Sequence, residues 1–472
     1  MKNELDCDLC VIGAGAAGLS IAVGAVQLGA RTVLFEKGVM GGDCLNYGCV
    51  PSKALLAAAS AAQTIAKAGD FGIHTQAANV DFPAVMAHVR AVIAQIAPHD
   101  SVDRLERLGV RVINASAEFT DRDAISGGGV RVRARRFVIA TGSSAAIPTI
   151  AGIEAVPVLT NETLFALNEC PRHLIIIGGG PIGIEMAQAF RRLGSAVTLF
   201  ERDRVLANDE PELVDVVRTH LRAAGVVMHE TIDITAVSPA ATGVSVRYGA
   251  DGEVLGTHVL VAAGRQPRLA GLALERAGIR YTSQGITVDR QLRTSNKRIF
   301  ALGDVIGPPR FTHAAAYQAG IVIRNALFRL PATVDYRALP RVTYGDPELA
   351  QIGLTERQAR ERYGASVQTV QTAFNENDRA RTERQTTGGI KVILDKRGTI
   401  LGASIVGAHA GELITLWGLA ITHRMKLSAL TGVIFPYPTF GELSRAAASA
   451  FYAPKLFSRW PKRLARLLLA IG

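Results

Sequence analysis

The stretch CVIGAGAAGLS, residues 10–20, decides the fold of the N-terminal part of this chain. An apolar run reaches Gly13, Gly15 and Gly18 and then continues into small residues suited to a helix. In such a turn the first glycine permits a tight bend, the second leaves room for a pyrophosphate, and the third lets helix and strand pack closely. A second apolar run ends at Glu36, whose carboxylate can accept hydrogen bonds from a ribose diol. The pattern predicts a βαβ unit that binds a dinucleotide.

The same pattern returns in HLIIIGGGPIGIEMAQAF, residues 173–190. Its glycines are Gly178, Gly180 and Gly183, and the apolar run that follows ends at Glu201. Each acid stands 18 residues after the third glycine of its own motif. One glycine triplet is weak evidence, but two with the same strand context and the same acid offset predict two dinucleotide sites.

We assign the two predicted sites to different dinucleotides. The first unit is interrupted after Lys53 by a long helical stretch and carries a close cysteine pair, so it is the better place for a tightly held flavin. The second unit, roughly residues 150–270, is compact and would hold a diffusible nicotinamide nucleotide. A 2′-phosphate would meet like-charge repulsion from Glu201, which favours NADH over NADPH, although Arg202 and Arg204 could weaken that preference.

Two of the five cysteines lie in GGDCLNYGCVPSK, residues 41–53. A close pair in a chain this poor in cysteine indicates redox or metal chemistry more than a structural disulfide. Residues five apart on a regular helix are about 8 Å apart, beyond the limit of about 7 Å for a disulfide, so Cys44 and Cys49 can bridge only across distorted backbone. Gly48 makes that distortion feasible, and a bridge held in this way is a candidate for the reducible kind. No second cysteine or histidine pair completes a zinc site, so we expect no resident metal.

The other three cysteines are expected to be inert. Cys7 and Cys10 lie three apart on the first strand, which should point their side chains to opposite faces of the sheet as core residues. Cys170 stands beside Pro171 in a linker.

These motifs make the chain resemble the FAD-dependent pyridine nucleotide–disulfide oxidoreductases, which include dihydrolipoamide dehydrogenase, glutathione reductase and mercuric reductase. The most specific likeness is the cysteine stretch at 41–53. VIATGS at 138–143 is similar to the family's second flavin segment, and VAAGRQPR at 261–268 is similar to the loop that closes its nicotinamide domain. IFALGDV at 299–305 is similar to the late flavin motif, and the resemblance extends to about residue 450.

The resemblance implies an α/β fold with two Rossmann-like dinucleotide-binding domains, for FAD and for NAD(P), and a C-terminal α+β dimerisation domain. In the family this last domain carries residues into the partner's active site, so a homodimer is implied. The implied boundaries are 1–149 for the first part of the FAD domain, 150–270 for the NAD(P) domain, 271–340 for the second part of the FAD domain, 341–450 for the interface domain and 451–472 for a basic amphipathic tail.

The resemblance also implies which residues form the sites. The expected catalytic residues are Cys44, Cys49, Lys53, Glu185, Tyr437 and Glu442. FAD would be held by Gly13, Gly15, Gly18, Glu36, Lys37, Gly42, Lys53, Thr141, Gly142, Asp304, His313 and Ala314. NAD(P) would be held by Gly178, Gly180, Ile182, Glu201 and Gly264. Asp304 is expected on the ribityl chain, and His313 lies either near the pyrimidine edge of the flavin or serves as a plain capping or core residue.

The implied electron path runs from NADH through the flavin to a Cys44–Cys49 disulfide and on to an acceptor. Cys49 would keep contact with the flavin, and Cys44 would meet the acceptor. Lys53 stands four residues after Cys49, on the same face of a helix that begins near Pro51, where its charge would lower the thiol pKa. The resemblance pairs Lys53 with Glu185.

One departure from the family bears on the acceptor. Its dithiol enzymes carry a histidine and a glutamate near the C-terminus, but in FPYPTFGEL, residues 435–443, Glu442 is present and Tyr437 takes the histidine position. A tyrosine with a pKa of about 10 is a worse proton acceptor at pH 7 than a histidine with a pKa of about 6.5, by about 5 kcal/mol. Slow dihydrolipoamide or glutathione turnover is therefore expected. The sequence FPY resembles the corresponding sequence of mercuric reductase, in which a phenol beside the thiols helps bind a soft metal ion.

Several acceptors remain open at this point. No cysteine follows Cys170, whereas mercuric reductase usually ends in a vicinal cysteine pair, and a separate N-terminal metal-binding domain is lacking. A metal ion, a quinone or a small disulfide are all compatible, and Tyr437 could also be a packing aromatic. A dihydrolipoamide dehydrogenase-like reductase is the alternative within the class. A flavoprotein redox sensor without turnover is the alternative from another class.

The net charge of +11 is concentrated in part near the C-terminus. The bases there, with no acid among them, are Lys455, Arg459, Lys462, Arg463 and Arg466. The remaining excess is spread thinly, so nucleic-acid binding is not expected. The tail is either a helix packed on the dimer or a basic amphipathic segment on an anionic membrane, and Pro461 should interrupt any longer helix.

The uncharged run at residues 11–30 has the length of a membrane span. It contains the first glycine motif, however, and the residues before it do not form a signal peptide. A cytoplasmic protein is therefore expected.

Overall fold

The computed structural model describes residues 3–471. They form two compact units, the first made of 3–178, 192–196 and 233–334 and the second of 179–191, 197–232 and 335–471.

The helices and strands divide between the units as follows. The helices of the first unit are Ala16–Gln27, Gly42–Asn46, Cys49–Lys67, Phe82–Ile96, Val102–Arg107, Asn161–Leu164 and Thr312–Ala326. Its strands are Asn3–Ile12, Thr32–Glu36, Arg111–Asn114, Glu118–Asp121, Ala124–Gly127, Val130–Ile139, Ser143–Ala145, Val158–Leu159, His173–Ile177, Ile234–Ala240, Gly243–Tyr248, Gly252–Gly256, His258–Val261, Arg265–Pro267, Tyr281–Thr282, Gly285–Ile286 and Ile299–Ala301. The second unit contains, wholly or for most of their length, the helices Pro181–Arg192, Pro211–Ala223, Glu356–Tyr363, Asp378–Thr382, Ala410–Thr422, Ser428–Thr431, Glu442–Leu456 and Arg459–Leu469. Its strands are Ala196–Glu201, Val226–Glu230, Pro340–Thr343, Glu348–Gly353, Gln368–Ala373, Gly389–Leu394 and Ile400–Gly407.

A mainly parallel sheet forms the centre of the first unit. The strands run in the order Arg111–Asn114, Thr32–Glu36, Asn3–Ile12, Val130–Ile139, and Ile299–Ala301 also pairs in parallel with the last of these. An antiparallel hairpin extends the sheet beyond it. The first glycine motif therefore stands between the first two strands of a parallel unit, as predicted.

Both faces of this sheet are covered. On the central strand, Leu9 and Val11 join one buried apolar cluster, while Cys10 and Ile12 join another. A parallel strand that is buried on both faces needs apolar residues at every position, which is why it reads as a continuous apolar run.

The first strand departs from regular alternation of its side chains, and this overturns one expectation. The N–H groups of Asp8 and Leu9 both donate to the carbonyl oxygen of Arg31, at 2.9 and 3.2 Å. The alternation of faces is interrupted at these residues, so Cys7 and Cys10 enter the same apolar cluster, and the expectation of opposite faces is wrong. Their expected burial is confirmed, and that burial is the main cause that raises the pKa of both thiols.

The second glycine motif also adjoins parallel strands. In the first unit, His258–Val261 pairs in parallel with His173–Ile177 and with Val158–Leu159. In the second unit, Ala196–Glu201 pairs in parallel with Val226–Glu230.

The second unit also holds an antiparallel sheet. Its strand order is Pro340–Thr343, Glu348–Gly353, Ile400–Gly407, Gly389–Leu394, Gln368–Ala373. Trp417 of the helix Ala410–Thr422 is fully buried in the apolar cluster of this sheet. Parallel sheets with intervening helices, followed by an α+β region, confirm the predicted fold class.

The tail forms its own helix. Glu442–Leu456 is followed at once by Arg459–Leu469, and Pro461 lies in the first turn of the latter. A proline is tolerated in a first turn because its missing N–H would have no partner there. The expected interruption at Pro461 is therefore wrong, because the break falls at Phe457 and Ser458. Within residues 3–471, no helix combines the length and the apolar character needed to cross a bilayer.

Candidate active site

The two cysteines of the 41–53 stretch lie on separate helices. Cys44 is on a short helix that ends at Asn46, and Cys49 is the first residue of a helix of 19 residues. Gly48 joins them with φ −127° and ψ −111°, and a Cβ there would lie 3.0 Å from an oxygen of the Asp43 carboxylate. A glycine at this position lets the chain break between the helices and bring the two cysteines together.

Both cysteines are free thiols, and their side chains are hydrogen-bonded to each other. This bond, with Cys44 as the donor, is the main cause that lowers the pKa of Cys49 to about 6 and raises that of Cys44. A second bond involves Thr312, whose Oγ1 is 3.4 Å from Cys49 Sγ, and the charge of Lys53 lowers the Cys49 pKa further. This arrangement therefore favours the thiolate on Cys49 and the protonated thiol on Cys44.

Sequence reasoning missed Thr312. It is the first residue of the helix Thr312–Ala326, seven residues after the end of the late flavin motif. A hydroxyl residue at the start of this helix was the feature of the sequence that could have indicated it. Its neighbour His313 is exposed and stacks on the Phe311 ring at a centroid distance of 5.1 Å, so a core role for His313 is excluded. Ala314 is fully buried.

The first glycine motif forms a close-packed backbone cradle. Gly13 has φ +102°, and a Cβ there would lie 2.4 Å from the Ala140 carbonyl oxygen. At Gly18 a Cβ would collide with the Gly13 carbonyl, and at Gly42, with φ +60°, it would lie 2.6 Å from Gly15 Cα. A Cβ at Gly15 would meet nothing closer than 3.9 Å, so open space remains beside this turn. The cradle fits the pyrophosphate of FAD.

The acid after the motif is fixed by backbone donors. Glu36 accepts hydrogen bonds from the N–H groups of Ala14, at 2.6 Å, and Gly38, at 2.7 Å. Each carboxylate oxygen keeps a second lone pair for another donor. The adjacent Lys37 is exposed.

The second motif repeats this arrangement. Glu201 accepts from the N–H groups of Gly179, at 2.7 Å, and Asp203, at 2.9 Å. A Cβ at Gly180 would meet nothing within 4 Å, and Ile182 is exposed. The equal acid offsets in the sequence thus correspond to equal hydrogen-bond patterns.

Two further glycines of the predicted NAD(P) set belong to the first unit. Gly178 has φ +116°, and a Cβ there would lie 2.4 Å from the Ala262 carbonyl oxygen. Gly264 has φ +127° with nothing within 4 Å of a Cβ.

The late flavin motif is held by a polar network. Asp304 accepts a hydrogen bond from Ser143 Oγ at 2.5 Å and lies 3.5 Å from Arg265 Nε. The same guanidinium contacts Asp43, next to the first cysteine, at 3.1 Å. Sequence reasoning named Asp304 but missed Ser143 and Arg265, which fix its carboxylate.

The second flavin segment is tied to the loop that follows the nicotinamide region. Thr141 Oγ1 donates to the Arg268 carbonyl oxygen at 2.8 Å. Gly142 has φ +69°, and its carbonyl accepts from the Arg268 N–H at 3.0 Å.

The remaining predicted catalytic residues belong to the second unit. Glu185 is buried and accepts from the Tyr344 N–H at 2.9 Å, and its pairing with Lys53 stays a prediction. Glu442 begins a helix and pairs with Arg445 at 2.6 Å.

Tyr437 is the residue at the family's histidine position. Its side chain is exposed, and its hydroxyl donates to an Asp378 oxygen at 3.1 Å. The hydrogen bond to Asp378 and its charge raise the pKa of Tyr437 above the ordinary value, so it stays a neutral phenol at pH 7. Sequence reasoning did not identify Asp378.

Three carboxylates approach one another in the second unit. The ligand atoms of Glu210, Glu212 and Glu356 lie within 4.8 Å of one another. The buried ammonium of Lys391 sits among them, at 2.8, 2.5 and 2.6 Å. The lysine already supplies the cation that this cluster would otherwise require.

Comparisons with known proteins agree with this geometry. Residues 7–319 match the family described as pyridine nucleotide-disulphide oxidoreductase, and residues 339–448 match its dimerisation domain. A mercuric reductase of Streptomyces lividans is 37% identical over 94% of this chain and 96% of its own length. A dihydrolipoyl dehydrogenase of Geobacillus stearothermophilus is 33% identical over 94% of this chain and 96% of its own length.

A solved structure is similar over the same extent. The Cu(II) complex of the HOCl-induced flavoprotein disulfide reductase RclA from Escherichia coli is 30% identical, with a TM-score of 0.85, and covers 94% of this chain and 99% of that chain. The family matches include a dimerisation domain, which supports a homodimer. The chain therefore belongs to the pyridine nucleotide–disulfide oxidoreductases, the FAD-dependent enzymes that pass electrons between a nicotinamide nucleotide and a disulfide or metal ion.

Proposed function

We propose that this enzyme passes electrons from NAD(P)H, through bound FAD and the Cys44–Cys49 pair, to a soft metal ion or a small disulfide, in the manner of a mercuric reductase. The observation that carries the proposal is the hydrogen bond between the two thiols, which lowers the pKa of Cys49 and raises that of Cys44. The pair thus offers one thiolate and one protonated thiol in contact, which is what a dithiol–disulfide couple needs to exchange with an acceptor.

The chemistry of the pair balances for either acceptor. Oxidation of one thiolate and one thiol to a disulfide releases two electrons and one proton. Hg(II) would take the two electrons and become Hg(0), whereas a disulfide would take the two electrons, that proton and one proton from solvent and become two thiols. Cys49 is already deprotonated, and Cys44 loses its proton when it attacks a disulfide or binds a metal ion. Bound FAD supplies the return step, because it relays the two electrons of a hydride from NAD(P)H to the disulfide.

We assign the FAD contacts to the glycine cradle and the polar network. Gly13, Gly15 and Gly18 would face the pyrophosphate, Glu36 would accept from a ribose, and Asp304 would accept from the ribityl chain. Each acid is held rigidly, since Glu36 binds two backbone donors and Asp304 binds Ser143. The domain boundaries stated above remain part of this proposal.

Tyr437 supports a metal ion over a dithiol substrate. Its hydroxyl stays protonated and bonded to Asp378, so it cannot accept the proton that a dithiol substrate must lose. A phenol oxygen beside two sulfurs is compatible with holding a soft cation, for which thiolates are the preferred ligands. We place Tyr437 and Glu442 in the active site of the partner subunit, because both lie near the end of the matched dimerisation domain.

The relatives favour the same class of acceptor without deciding it. Several mercuric reductases match at 33–37% identity, and RclA has been solved as a Cu(II) complex. A dihydrolipoamide dehydrogenase-like activity is the second candidate, favoured by the retained Glu442 and by the dihydrolipoyl dehydrogenases among the relatives.

We propose NADH as the preferred reductant. Glu201 is anchored by two backbone N–H groups at the end of its strand, which keeps a negative charge where a 2′-phosphate would lie. Arg202 and Arg204 are exposed and are the side chains that could offset this repulsion.

The experiment that tests this proposal measures the activity of the enzyme with each combination of acceptor and reductant. Purified FAD-containing enzyme is assayed for NADH and for NADPH oxidation with Hg(II), Cu(II), oxidised glutathione, lipoamide and quinones. We expect the largest kcat/KM with a soft metal ion and NADH, and loss of that activity in Cys44→Ser and in Cys49→Ser. The matched control Cys170→Ser should keep it. Full activity of either active-site serine variant would refute the proposal, and slow flavin reduction by NADH would instead favour a redox sensor.

A further inference from the structure

The C-terminal helix Arg459–Leu469 presents two chemically different faces. With about 3.6 residues per turn, its bases fall within an arc of about 100°. These bases are Arg459, Lys462, Arg463 and Arg466. An arc of similar width on another side carries Trp460, Leu464, Leu467 and Leu468. Leu469 alone among its large apolar residues lies outside that arc.

Nothing in the described chain covers either face. Every residue of this helix except Pro461 is exposed, and Trp460 is exposed to 79%. Other exposed large apolar side chains flank the helix, Leu456 and Phe457 before it and Ile471 after it. Exposed apolar surface of this extent, rimmed by bases, indicates a partner.

The charge pattern decides which partner fits. From Leu443 to the end of the sequence there is no Asp or Glu, so the helix has no internal counter-charge. A second copy that docked apolar face to apolar face would leave the basic faces of both helices without a counter-charge, because neither helix carries an acid. The matched dimerisation domain also ends at residue 448, before this helix begins.

An anionic bilayer satisfies both faces at once. Trp and Leu side chains enter the boundary between headgroups and acyl chains, while Lys and Arg side chains on the polar face contact the anionic headgroups. We infer that Arg459–Leu469 is an in-plane membrane helix that docks this oxidoreductase on anionic lipid. An 11-residue helix lies on such a surface rather than spanning it, and a homodimer would bring two of them to one membrane.

The test uses the full-length, FAD-containing enzyme and vesicles. One set is pure phosphatidylcholine, and the other is an equimolar mixture of phosphatidylcholine and phosphatidylglycerol. We expect the protein to float with the anionic vesicles and not with the neutral ones, and added salt should weaken the binding.

Tryptophan fluorescence gives a second, local readout. The chain has two tryptophans, Trp417 in the core and Trp460 on the helix. Anionic vesicles should shift the emission to the blue through Trp460 alone. Trp460→Phe should abolish this shift while the protein still floats, because phenylalanine keeps the apolar contact.

Charge-reversal variants distinguish binding through this helix from attraction by the net positive charge of the whole protein. The triple variant Lys462→Glu, Arg463→Glu, Arg466→Glu should bind anionic vesicles at least about 100-fold more weakly, since each base near such a surface contributes about 1 kcal/mol and about 1.4 kcal/mol is a factor of ten. The matched control reverses three exposed bases elsewhere in the second unit, Lys396, Arg397 and Lys426. The control should bind nearly as well as the wild type, and both variants should keep their NADH oxidation rates because all six positions are exposed.

Three results would overturn the inference. They are absence of flotation with anionic vesicles, equal weakening in the two triple variants, and flotation without a change in Trp460 emission. Light scattering tests the alternative that the apolar face binds a second copy of the chain. If the double variant Leu464→Ser, Leu467→Ser turns dimers into monomers and the wild type binds no vesicles, the apolar face belongs to a second copy.

Discussion

Replacing Thr312 by valine should raise the pKa of the Cys49 thiol. In the structure the Thr312 hydroxyl is 3.4 Å from Cys49 Sγ, and this contact is one of the causes that lower the pKa of Cys49 to about 6. Valine has nearly the same shape as threonine but has no hydroxyl to donate. The thiolate would then lose one of its two side-chain donors and keep the bond from Cys44.

The size of the effect follows from the strength of such bonds. A hydrogen bond to a charged group contributes about 1.5–3 kcal/mol, and one pKa unit corresponds to about 1.4 kcal/mol. Cys49 is exposed, so solvent screening places the effect at the low end, about one unit. The pKa should therefore rise from about 6 to about 7. At pH 6 the thiolate fraction would fall about fivefold.

The assay is site-specific alkylation. The FAD-containing enzyme is reduced, freed of reductant and pulsed with iodoacetamide between pH 5 and pH 10, and peptide mass spectrometry measures the modification of Cys49. Because a lowered pKa favours the thiolate, the wild-type rate should decline only as the pH falls through about 6, and the variant rate as it falls through about 7. Thr312→Ser keeps a hydroxyl and serves as the control. An unchanged midpoint in Thr312→Val, or an equal shift in Thr312→Ser, would refute the role of this hydrogen bond.

Three further predictions test other parts of the molecule. Tyr437→His should raise the steady-state rate of dihydrolipoamide oxidation with NAD, because an imidazole accepts a proton at neutral pH, whereas Tyr437→Phe should not; equal gains would contradict this reasoning. Lys391→Met should lower the free energy of unfolding in urea by about 3–5 kcal/mol, because it leaves three carboxylates without their buried cation, while the exposed control Lys396→Met should change it little. Gly42→Ala should yield protein with reduced FAD content by absorbance, since its Cβ would lie 2.6 Å from a backbone atom of the cradle, whereas Gly129→Ala, with a similar positive φ and open space, should retain FAD.

The fold could be predicted from the sequence where its signals are local. The glycine triplets, the apolar runs and the acid offsets each lie within one βαβ unit, and Glu36 and Glu201 make matching pairs of hydrogen bonds as their equal spacing indicates. The irregular hydrogen bonding at Asp8 and Leu9 carried no such signal, because it depends on the position of the Arg31 carbonyl on a neighbouring segment. The faces assigned to the first two cysteines were wrong for that reason.

The site could be predicted only in part because its electrostatics come from distant segments. The cysteine stretch identified the thiols, but Thr312 reaches them from more than 250 residues away in the chain. The contact from Asp378 to Tyr437 and the contacts around Lys391 are likewise tertiary. Hydrogen-bond partners of this kind leave no periodic trace in a sequence.

The asymmetry between the two thiols shows what the local sequence can and cannot specify. Both cysteines lie close to glycines, so composition alone does not say which one ionises. The hydrogen bond from Cys44 is the main cause that favours a thiolate on Cys49, and the break at Gly48 acts in the same direction, because it makes Cys49 the first residue of a long helix. A helix N-terminus favours a thiolate, and the donors from Cys44 and Thr312 act on the same sulfur. Backbone geometry, a neighbouring thiol and a distant hydroxyl therefore favour the same protonation state, so the loss of any one of them should weaken the asymmetry without reversing it.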